Sequence, residues 1–280
     1  MTMDLAGKVA VVTGASEGIG RAVAIAIAKQ GANVVLAARN IRMLDEARAE
    51  IEKAGHKALG IKCDVTQDED VANLTQKTIQ TFGKVDILVN NAGVGVRGRF
   101  ENITLPDWES IIQTNLLGYI RMVRAFLQYF LAQKSGYVVN VSSVQGLDII
   151  HDPLNIAYIT TKCGILGFSE CLYAYLRPQG INVSCLCPGG TRTSMGMNTR
   201  FVGNPSEAAA MRERDEKLFK QPFMMEPEVL AEGLIEGMKE ERYLILFPGE
   251  MARQFQRNLL DQGRDIQRLN VYLEQNVKKI

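Results

Sequence analysis

The chain has 280 residues, a length that one large α/β domain can fill, and 46% of them are hydrophobic while 22% are charged. This composition excludes disordered, fibrous and collagen-like proteins, because it supplies enough apolar side chains for a large core. The net charge is only +1, so no overall basic field favours binding to nucleic acid or to an acidic membrane.

The first third of the chain alternates between predicted strands and helices. Apolar runs predict buried strands at 8–12, 34–38, 58–63 and 86–90. Apolar residues at helical spacing fill the segments between these runs, and the helices are predicted to end near Gly31, Gly55 and Gly83. Continuously apolar strands are typical of a sheet that helices cover on both faces. The pattern therefore predicts a Rossmann-type doubly wound parallel sheet built from right-handed βαβ units.

The remaining elements continue the same pattern. Strands are predicted at 137–143, 181–187 and 243–247, and helices at 107–132, 155–178, near 206–220 and at 227–240. This makes about seven strands in a single domain, residues 1–248. The less regular segment at about 190–225 lies within that domain, and residues 249–280 are predicted to be a C-terminal helical extension.

The cysteines and the N-terminus bear on the compartment. Five cysteines without a CxxC pair, and only two histidines, predict reduced core thiols, with neither a disulfide framework nor a metal site. The N-terminus lacks the pattern of a signal peptide, and no apolar stretch approaches the ~20 residues that cross a bilayer. We therefore expect a cytoplasmic protein without a membrane span.

A glycine-rich turn, TGASEGIG at 13–20, joins the first strand to the first helix. In a βαβ unit such glycines allow a tight turn, while the helix N-terminus presents free N–H groups to a pyrophosphate. The sequence thus predicts a dinucleotide site that includes Gly14, Ser16, Glu17, Gly18, Ile19 and Gly20. A simple structural turn is the alternative.

The end of the second strand bears on the choice of dinucleotide. An acid there would bind the ribose 2′-hydroxyl and repel a 2′-phosphate, whereas a guanidinium would pair with that phosphate. The chain has Arg39 and no acid at 37–40, so NADP(H) is favoured over NAD(H), which remains possible. A solvated loop arginine is the other interpretation of Arg39.

Five motifs occur together in the order and approximate spacing of a known family. They are TGASEGIG, NNAG at 90–93, Asn115, the Ser142–Ser143 pair and the YITTK sequence from Tyr158 to Lys162. On these motifs the chain, over roughly residues 7–195, resembles the short-chain dehydrogenase/reductase family. The resemblance implies an NAD(P)-dependent oxidoreductase without a metal, which acts on a small carbonyl or alcohol substrate and assembles as a homodimer or homotetramer.

The catalytic chemistry is also argued from the residues. Tyr158 and Lys162 stand at i and i+4 of one helix, so their side chains share a face. An ammonium beside a phenol is expected to lower the pKa of Tyr158 and prepare it to exchange a proton with a substrate oxygen. The resemblance assigns Ser143 to the substrate carbonyl and gives Lys162 a further contact with the nicotinamide ribose. It also implies that Asn115 holds a water near Lys162.

The resemblance further implies several cofactor contacts. Asp64 and Val65 would meet the adenine, and Asn91, Ala92 and Gly93 the adenosine ribose, while Pro188, Gly189, Thr191 and Thr193 would position the nicotinamide. Thr191 stands where the family usually has an aliphatic residue, and a backbone contact to the carboxamide would tolerate that change.

The favoured function is ketone reductase or alcohol dehydrogenase activity with NADP(H). An NAD-linked alcohol dehydrogenase and a dinucleotide-binding regulator without turnover are the alternatives. Five methionines at about 190–225 suggest a mobile cover over a bulky hydrophobic substrate, namely Met195, Met197, Met211, Met224 and Met225. Loop filling or core packing is the other explanation of these methionines.

Overall fold

The predicted strands form one parallel sheet in the computed structural model, which describes residues 3–147 and 152–249. The strands are β1 (Val9–Thr13), β2 (Asn33–Ala38), β3 (Ala58–Lys62), β4 (Ile87–Asn90), β5 (Val96–Arg97), β6 (Gly136–Val141), β7 (Ile181–Pro188), β8 (Arg200–Phe201) and β9 (Leu244–Phe247). The helices are α1 (Gly18–Lys29), α2 (Ile41–Lys53), α3 (Asp68–Phe82), α4 (Leu105–Ile112), α5 (Gly118–Gln133), α6 (Val144–Leu147), α7 (Ile156–Leu176), α8 (Met195–Asn198), α9 (Pro205–Phe219) and α10 (Pro227–Lys239).

The strand order explains where a ligand can bind. The main sheet has the order β3-β2-β1-β4-β6-β7-β9, and every neighbouring pair is parallel. From β1 the chain winds outward to β3, and it then returns to add β4 on the other side of β1. The direction of winding reverses between β1 and β4, which opens a crevice at the carboxyl ends of these strands.

Helices cover both faces of the sheet. On one face Ala10 and Val12 of β1 pack with α1, α2 and α10, whereas Val11 points to the opposite face and packs with α3, α5 and α7. Successive strand residues point to opposite faces, so a strand buried on both must be apolar throughout. The predicted Rossmann-type doubly wound sheet is confirmed.

Two local features differ from the predicted elements. The helix predicted at 107–132 is instead α4 and α5 joined by a π-helical turn at Gln113–Leu117. Strands β5 and β8 pair in a separate two-stranded sheet. The sequence does not predict them, because each has only two residues and neither shows an apolar period. Of the predicted extension at 249–280, every residue but Gly249 lies outside the described part of the chain. None of the described helices combines the length and the apolar character needed to cross a bilayer.

Asp86, immediately before β4, joins two strand ends. Its carboxylate accepts a 2.8 Å hydrogen bond from the backbone N–H of Val9 and pairs with Lys84 at 2.9 Å and Lys8 at 3.2 Å. Burial acts to raise the pKa of Asp86, but Lys84, the Val9 amide and Lys8 outweigh it, so that the pKa lies below its usual value. A lowered folded-state pKa contributes stability above the unfolded pKa of ~3.9, and this stability is lost as the pH falls through the folded-state pKa.

Asp86→Asn is therefore expected to lower the free energy of unfolding at pH 7 by about 1–3 kcal/mol, because it weakens charge-assisted hydrogen bonds. The difference from wild type should shrink below pH 4. Urea unfolding at pH 7 and pH 3 measures both values. Asp45→Asn removes an exposed ion pair with Arg48 and should change the free energy by less than about 0.5 kcal/mol. An equal loss for Asp86→Asn at both pH values would contradict the electrostatic explanation.

Candidate active site

A cavity of about 800 Å³ lies at the carboxyl ends of the strands, where β1 and β4 diverge. Most of the predicted site residues line it. They are Gly14, Ser16, Glu17, Gly18, Ile19, Arg39, Asp64, Val65, Asn91, Ala92, Gly93, Ser143, Tyr158, Lys162, Pro188, Gly189, Thr191 and Thr193. Gly20 and Asn115 do not line the cavity, although both contact residues that do.

The glycine turn has the backbone geometry that its sequence predicts. Gly14 and Gly18 have φ values of +63° and +56°, a conformation that side chains disfavour. A Cβ atom on Gly20 would lie 2.3 Å from the Gly14 carbonyl oxygen, so Gly20 allows α1 to pack closely against the turn. No side chain caps the first N–H groups of α1, and Glu17, Gly18 and Ile19 line the cavity beside them. These free N–H groups suit the pyrophosphate of a dinucleotide.

The Asn91 side chain holds the turn in place. Its amide nitrogen donates to the backbone carbonyls of Thr13 at 3.0 Å and Gly14 at 3.3 Å. In return, the Thr13 hydroxyl accepts hydrogen bonds from the backbone N–H groups of Asn91 and Ala92. The loop after β4 is therefore bound to the loop after β1, and the two together form one wall of the cavity.

Arg39 and Asp64 lie at the ends of β2 and β3, on the same side of the cavity as the glycine turn. Arg39 is exposed, and it forms no ion pair with any residue that the structure describes. One carboxylate oxygen of Asp64 accepts from the backbone N–H and the hydroxyl of Thr66. The guanidinium of Arg39 is therefore available to an anionic ligand.

Ser143, Tyr158 and Lys162 come together in the middle of the cavity. Lys162 is 2% exposed, and its Nζ lies 5.4 Å from the centre of the Tyr158 ring and donates a 2.8 Å hydrogen bond to the Val141 carbonyl. The Ser142 hydroxyl donates to the Lys162 carbonyl and is thereby used for packing. Both serines line the cavity, and the side chain of Ser143 forms a hydrogen bond with Tyr158.

Burial dominates the ionisation of this pair. It raises the pKa of Tyr158 to about 12, although a hydrogen bond with the Ser143 side chain acts in the opposite direction. Burial also lowers the pKa of Lys162 to about 8. The expectation that Lys162 lowers the pKa of Tyr158 is therefore wrong in this structure. The physical reason is that desolvation disfavours the phenolate more than its neighbours favour it.

Asn115 lies in the π-helical turn and is fully buried. Its side-chain oxygen accepts a 2.8 Å hydrogen bond from the Val94 N–H, while its nitrogen donates to the Val94 carbonyl and to the Thr161 hydroxyl. These bonds link the turn to the loop after Gly93 and to α7, beside Lys162. A π-helical turn is frequent at functional sites, and the role of Asn115 near Lys162 stays a prediction.

The segment after β7 closes the other side of the site. The Gly189 N–H donates a 2.7 Å hydrogen bond to the Phe247 carbonyl, and the Thr191 hydroxyl donates to the Gly189 carbonyl at 3.0 Å. The buried hydroxyl of Thr191 therefore has a partner within its own loop. This contact explains how the segment accommodates a polar residue in place of an aliphatic one.

Several residues that the sequence did not predict line the outer part of the cavity. They are Leu218 and Phe219 at the end of α9, Phe223 in the loop after it, the polar pair Gln145 and Asn155, and the charged pair Arg97 and Asp215. The adjacent Leu218 and Phe219, which end a highly charged helix, were the available sequence signal. The other residues showed no pattern, because their segments are far apart in the chain.

The structure places two of the five methionines at the cavity, and their role as a cover over a hydrophobic substrate stays a prediction. Met195 and Met224 line the cavity. Met211 is not among the lining residues, and Met225 packs against the core that contains α1 and α10. The apolar wall therefore owes as much to leucine and phenylalanine side chains as to methionine.

Comparisons with known proteins show what the chain as a whole is similar to. A family model described as short chain dehydrogenase matches residues 8–201. The 3-oxoacyl-[acyl-carrier-protein] reductase of Synechocystis sp. is 35% identical over 195 residues, which cover 69% of this chain and 78% of that protein.

Two solved structures share the fold over most of their length. A short chain dehydrogenase/reductase from Burkholderia phymatum in complex with NAD has a TM-score of 0.83 and 28% identity, covering 93% of this chain and 96% of its own. An alcohol dehydrogenase from Thermococcus sibiricus complexed with 5-hydroxy-NADP has a TM-score of 0.72 and 27% identity, covering 86% of this chain and 95% of its own.

Proposed function

The chain belongs to the short-chain dehydrogenase/reductase family and is an NAD(P)-dependent oxidoreductase, and from this premise we propose that it interconverts a ketone and a secondary alcohol with NADP(H). The observation that carries the proposal is that Ser143, Tyr158 and Lys162 share one cavity with the glycine turn. The turn offers the uncapped N–H groups of α1 to a pyrophosphate. Elsewhere in the same cavity, the hydroxyls of Ser143 and Tyr158 can hold a carbonyl oxygen. Residues 1–248 would then be the dinucleotide-binding and catalytic domain, with 190–225 as its substrate loop.

The protein's part in the reaction is to orient the substrate and move a proton. A bound nicotinamide supplies the hydride in reduction and accepts it in oxidation. The hydroxyls of Ser143 and Tyr158 hold the substrate oxygen by hydrogen bonds. Tyr158, with a pKa of about 12, is protonated at neutral pH and is therefore ready to donate its proton to that oxygen in the reductive direction. The ammonium of Lys162 stabilises the phenolate that remains.

The residues along the cavity fit a dinucleotide. The pyrophosphate would lie against the turn at Gly14 and Gly18, which have positive φ values, and against the uncapped N-terminus of α1. Asp64 and Val65 would contact the adenine, and the segment 91–93 the adjoining ribose. Pro188, Gly189, Thr191 and Thr193, together with Lys162, would hold the nicotinamide end.

The exposed guanidinium of Arg39 supports NADP(H) over NAD(H). The structural relatives are bound to NAD in one case and to an NADP derivative in the other, so the family fold accommodates both. In this chain no acid stands at 37–40 to repel a 2′-phosphate. An NAD-linked alcohol dehydrogenase is the alternative, and the affinity of the Arg39 variant separates the two.

Arg39→Ala is expected to weaken NADPH binding by about 10- to 100-fold, because a charge-assisted hydrogen bond to phosphate contributes about 1.5–3 kcal/mol. The affinity for NADH should stay near the wild-type value. Isothermal titration of both cofactors measures the change. Arg42→Ala, which removes an exposed arginine of α2 paired with Glu46, is the matched control and should bind NADPH normally. Unchanged NADPH binding in Arg39→Ala would favour the NAD-linked alternative.

The outer cavity favours an apolar substrate. Leu218, Phe219, Phe223, Met195 and Met224 line it, and buried apolar contacts with these side chains would favour a substrate with a hydrophobic body. The experiment is to measure kcat/KM with NADPH over a panel of small polar ketones, large apolar ketones and a 3-oxoacyl thioester, the last suggested by the name of the Synechocystis relative. Equal rates, or a preference for small polar ketones, would contradict the apolar assignment.

We also propose that the protein is a homo-oligomer that forms through α4, α5 and α7, with a small molecule as its substrate. Sedimentation equilibrium of the full chain distinguishes a dimer from a tetramer. A monomer at micromolar concentration would contradict the proposal.

A further inference from the structure

A buried charge cluster lies at the outer end of the cavity. One terminal nitrogen of Arg97 donates to both carboxylate oxygens of Asp215, at 2.6 and 2.7 Å, and the other donates to Asp152. Arg214 pairs with the same oxygen of Asp152 at 3.4 Å. Arg97, Asp152 and Asp215 are 8%, 5% and 5% exposed. Two buried carboxylates are thus balanced by two guanidinium groups, and neither the glycine turn nor the Tyr158 site requires this arrangement.

The cluster joins three segments that are distant in sequence. Arg97 ends β5, which follows the loop at 91–93. Asp152 begins the 3₁₀ turn Pro153–Asn155, where its other carboxylate oxygen accepts from the Leu154 N–H at 3.0 Å, and this turn leads directly into α7. Asp215 lies on α9, which forms part of the outer wall. Arg97 therefore connects α9 of the outer wall, through Asp215, to the segment that precedes Tyr158, through Asp152.

Helix α9 packs on the protein through a buried charged residue, whereas most surface helices pack through buried apolar residues. Asp215 is its one buried residue. Its other contacts involve less buried side chains: Phe219 is partly buried and packs against Gly196, and Arg212 is exposed and lies 5.1 Å from the centre of the Phe201 ring. A surface helix is ordinarily held by a buried apolar stripe, and α9 buries a carboxylate in that place.

The surroundings of Asp215 disfavour its charged form. Burial acts to raise the pKa of Asp215, and Arg97 opposes it, with the result that the pKa lies above its usual value. A buried carboxylate without a partner would be unfavourable, so Asp215 is held where one terminal nitrogen of Arg97 can meet both of its oxygens while the other nitrogen meets Asp152. Arg97 therefore supplies the buried contact that holds the inner face of α9.

We propose that Arg97 is a positioning residue for the substrate cavity: through Asp215 it holds α9 as the outer wall, and through Asp152 it joins that wall to the segment leading to Tyr158. When α9 is in place, Leu218 and Phe219 face the cavity. Without the ion pair this wall would open, while the glycine turn and Ser143, Tyr158 and Lys162 would stay in place, because other elements hold them. The kinetic consequence rests on the ketone reduction proposed above.

Asp215→Asn tests the proposal, because it removes one charge and keeps the side-chain shape. We expect the KM for a large apolar ketone to rise about tenfold with kcat within about threefold of wild type, since the substrate wall and not the proton donor is altered. The affinity for NADPH should not change. Amide hydrogen exchange of the full chain should be faster in α9 and unchanged in α7.

Glu213→Gln is the matched control. Glu213 lies on the same helix, is exposed and pairs with Lys217 at 2.7 Å, so its loss should alter neither KM nor exchange in α9. Arg97→Lys keeps the charge but replaces two terminal nitrogens with one, so it cannot span Asp215 and Asp152 in the same way, and we expect it to give the same split between KM and kcat. This second variant keeps the test valid if Asp215→Asn folds poorly.

The outcomes separate this inference from the proposed function. Unchanged exchange in α9 for both variants, or a lower kcat at constant KM, would overturn the positioning role. If the wild-type protein reduces no ketone of the panel, the proposed function fails, and the exchange experiment still decides whether Arg97 holds α9.

Discussion

Tyr158→Phe is expected to lower kcat for ketone reduction by about 10²- to 10⁴-fold, the range that a positioned general acid contributes. The variant keeps the ring that packs beside Lys162 and loses only the hydroxyl that would donate the proton. The affinity for NADPH should stay near the wild-type value, because the pyrophosphate cradle and Arg39 are untouched. Steady-state kinetics with NADPH and a titration of the cofactor measure both quantities.

Tyr175→Phe provides a control on the same helix. Tyr175 is 62% exposed on α7, far along the helix from the cavity, and loss of its hydroxyl should leave kcat unchanged. A Tyr158→Phe enzyme as active as wild type would contradict the proposed chemistry. If the wild-type protein binds NADPH tightly but turns over no substrate, the dinucleotide-binding regulator becomes the better description.

Gly20→Ala is expected to disrupt the cofactor site by pushing α1 away from the glycine turn. The added Cβ would lie 2.3 Å from the Gly14 carbonyl oxygen and 2.4 Å from Nδ2 of Asn91, so α1 must move away from the turn. We expect the free energy of unfolding to fall by about 1–3 kcal/mol, the usual cost of overpacking, and the Kd for NADPH to rise by about tenfold or more. Urea unfolding and cofactor titration measure the two effects.

Gly167→Ala is the matched substitution on another helix. A Cβ on Gly167, in α7, would meet no atom within 4 Å. Since alanine is the better helix former, this variant should gain up to about 1 kcal/mol in stability and keep its cofactor affinity. If Gly20→Ala behaved like Gly167→Ala, the close approach of α1 to the turn would not matter for binding.

Local patterns in the sequence predicted most of the scaffold. The strand at 34–38 was readable because both of its faces are buried, and α3 was readable because its apolar residues recur at helical spacing up to Gly83, which adopts the left-handed conformation. The two-residue strands β5 and β8 were not readable. An element of that length has no period, and its pairing partner lies about a hundred residues away.

In the candidate site too, short motifs predicted some features and left others unpredicted. The motifs predicted which residues meet at the carboxyl ends of the strands, because parallel strands place their C-terminal loops along one edge. The assignment of Ser143 to the substrate carbonyl stays a prediction, and the contact that uses Ser142, a hydrogen bond to the Lys162 carbonyl, was not visible from spacing.

Chain order, apolar period and a few short motifs were enough for the family, the sheet and most of the residues predicted to line the cavity, since each is written within a few neighbouring positions. The protonation of Tyr158, the apolar outer wall and the Arg97 cluster emerged from folding alone. Solvation depends on every atom packed around a group. The ion pairs of Arg97 with Asp152 and Asp215 form only when three segments that are remote in sequence meet in space.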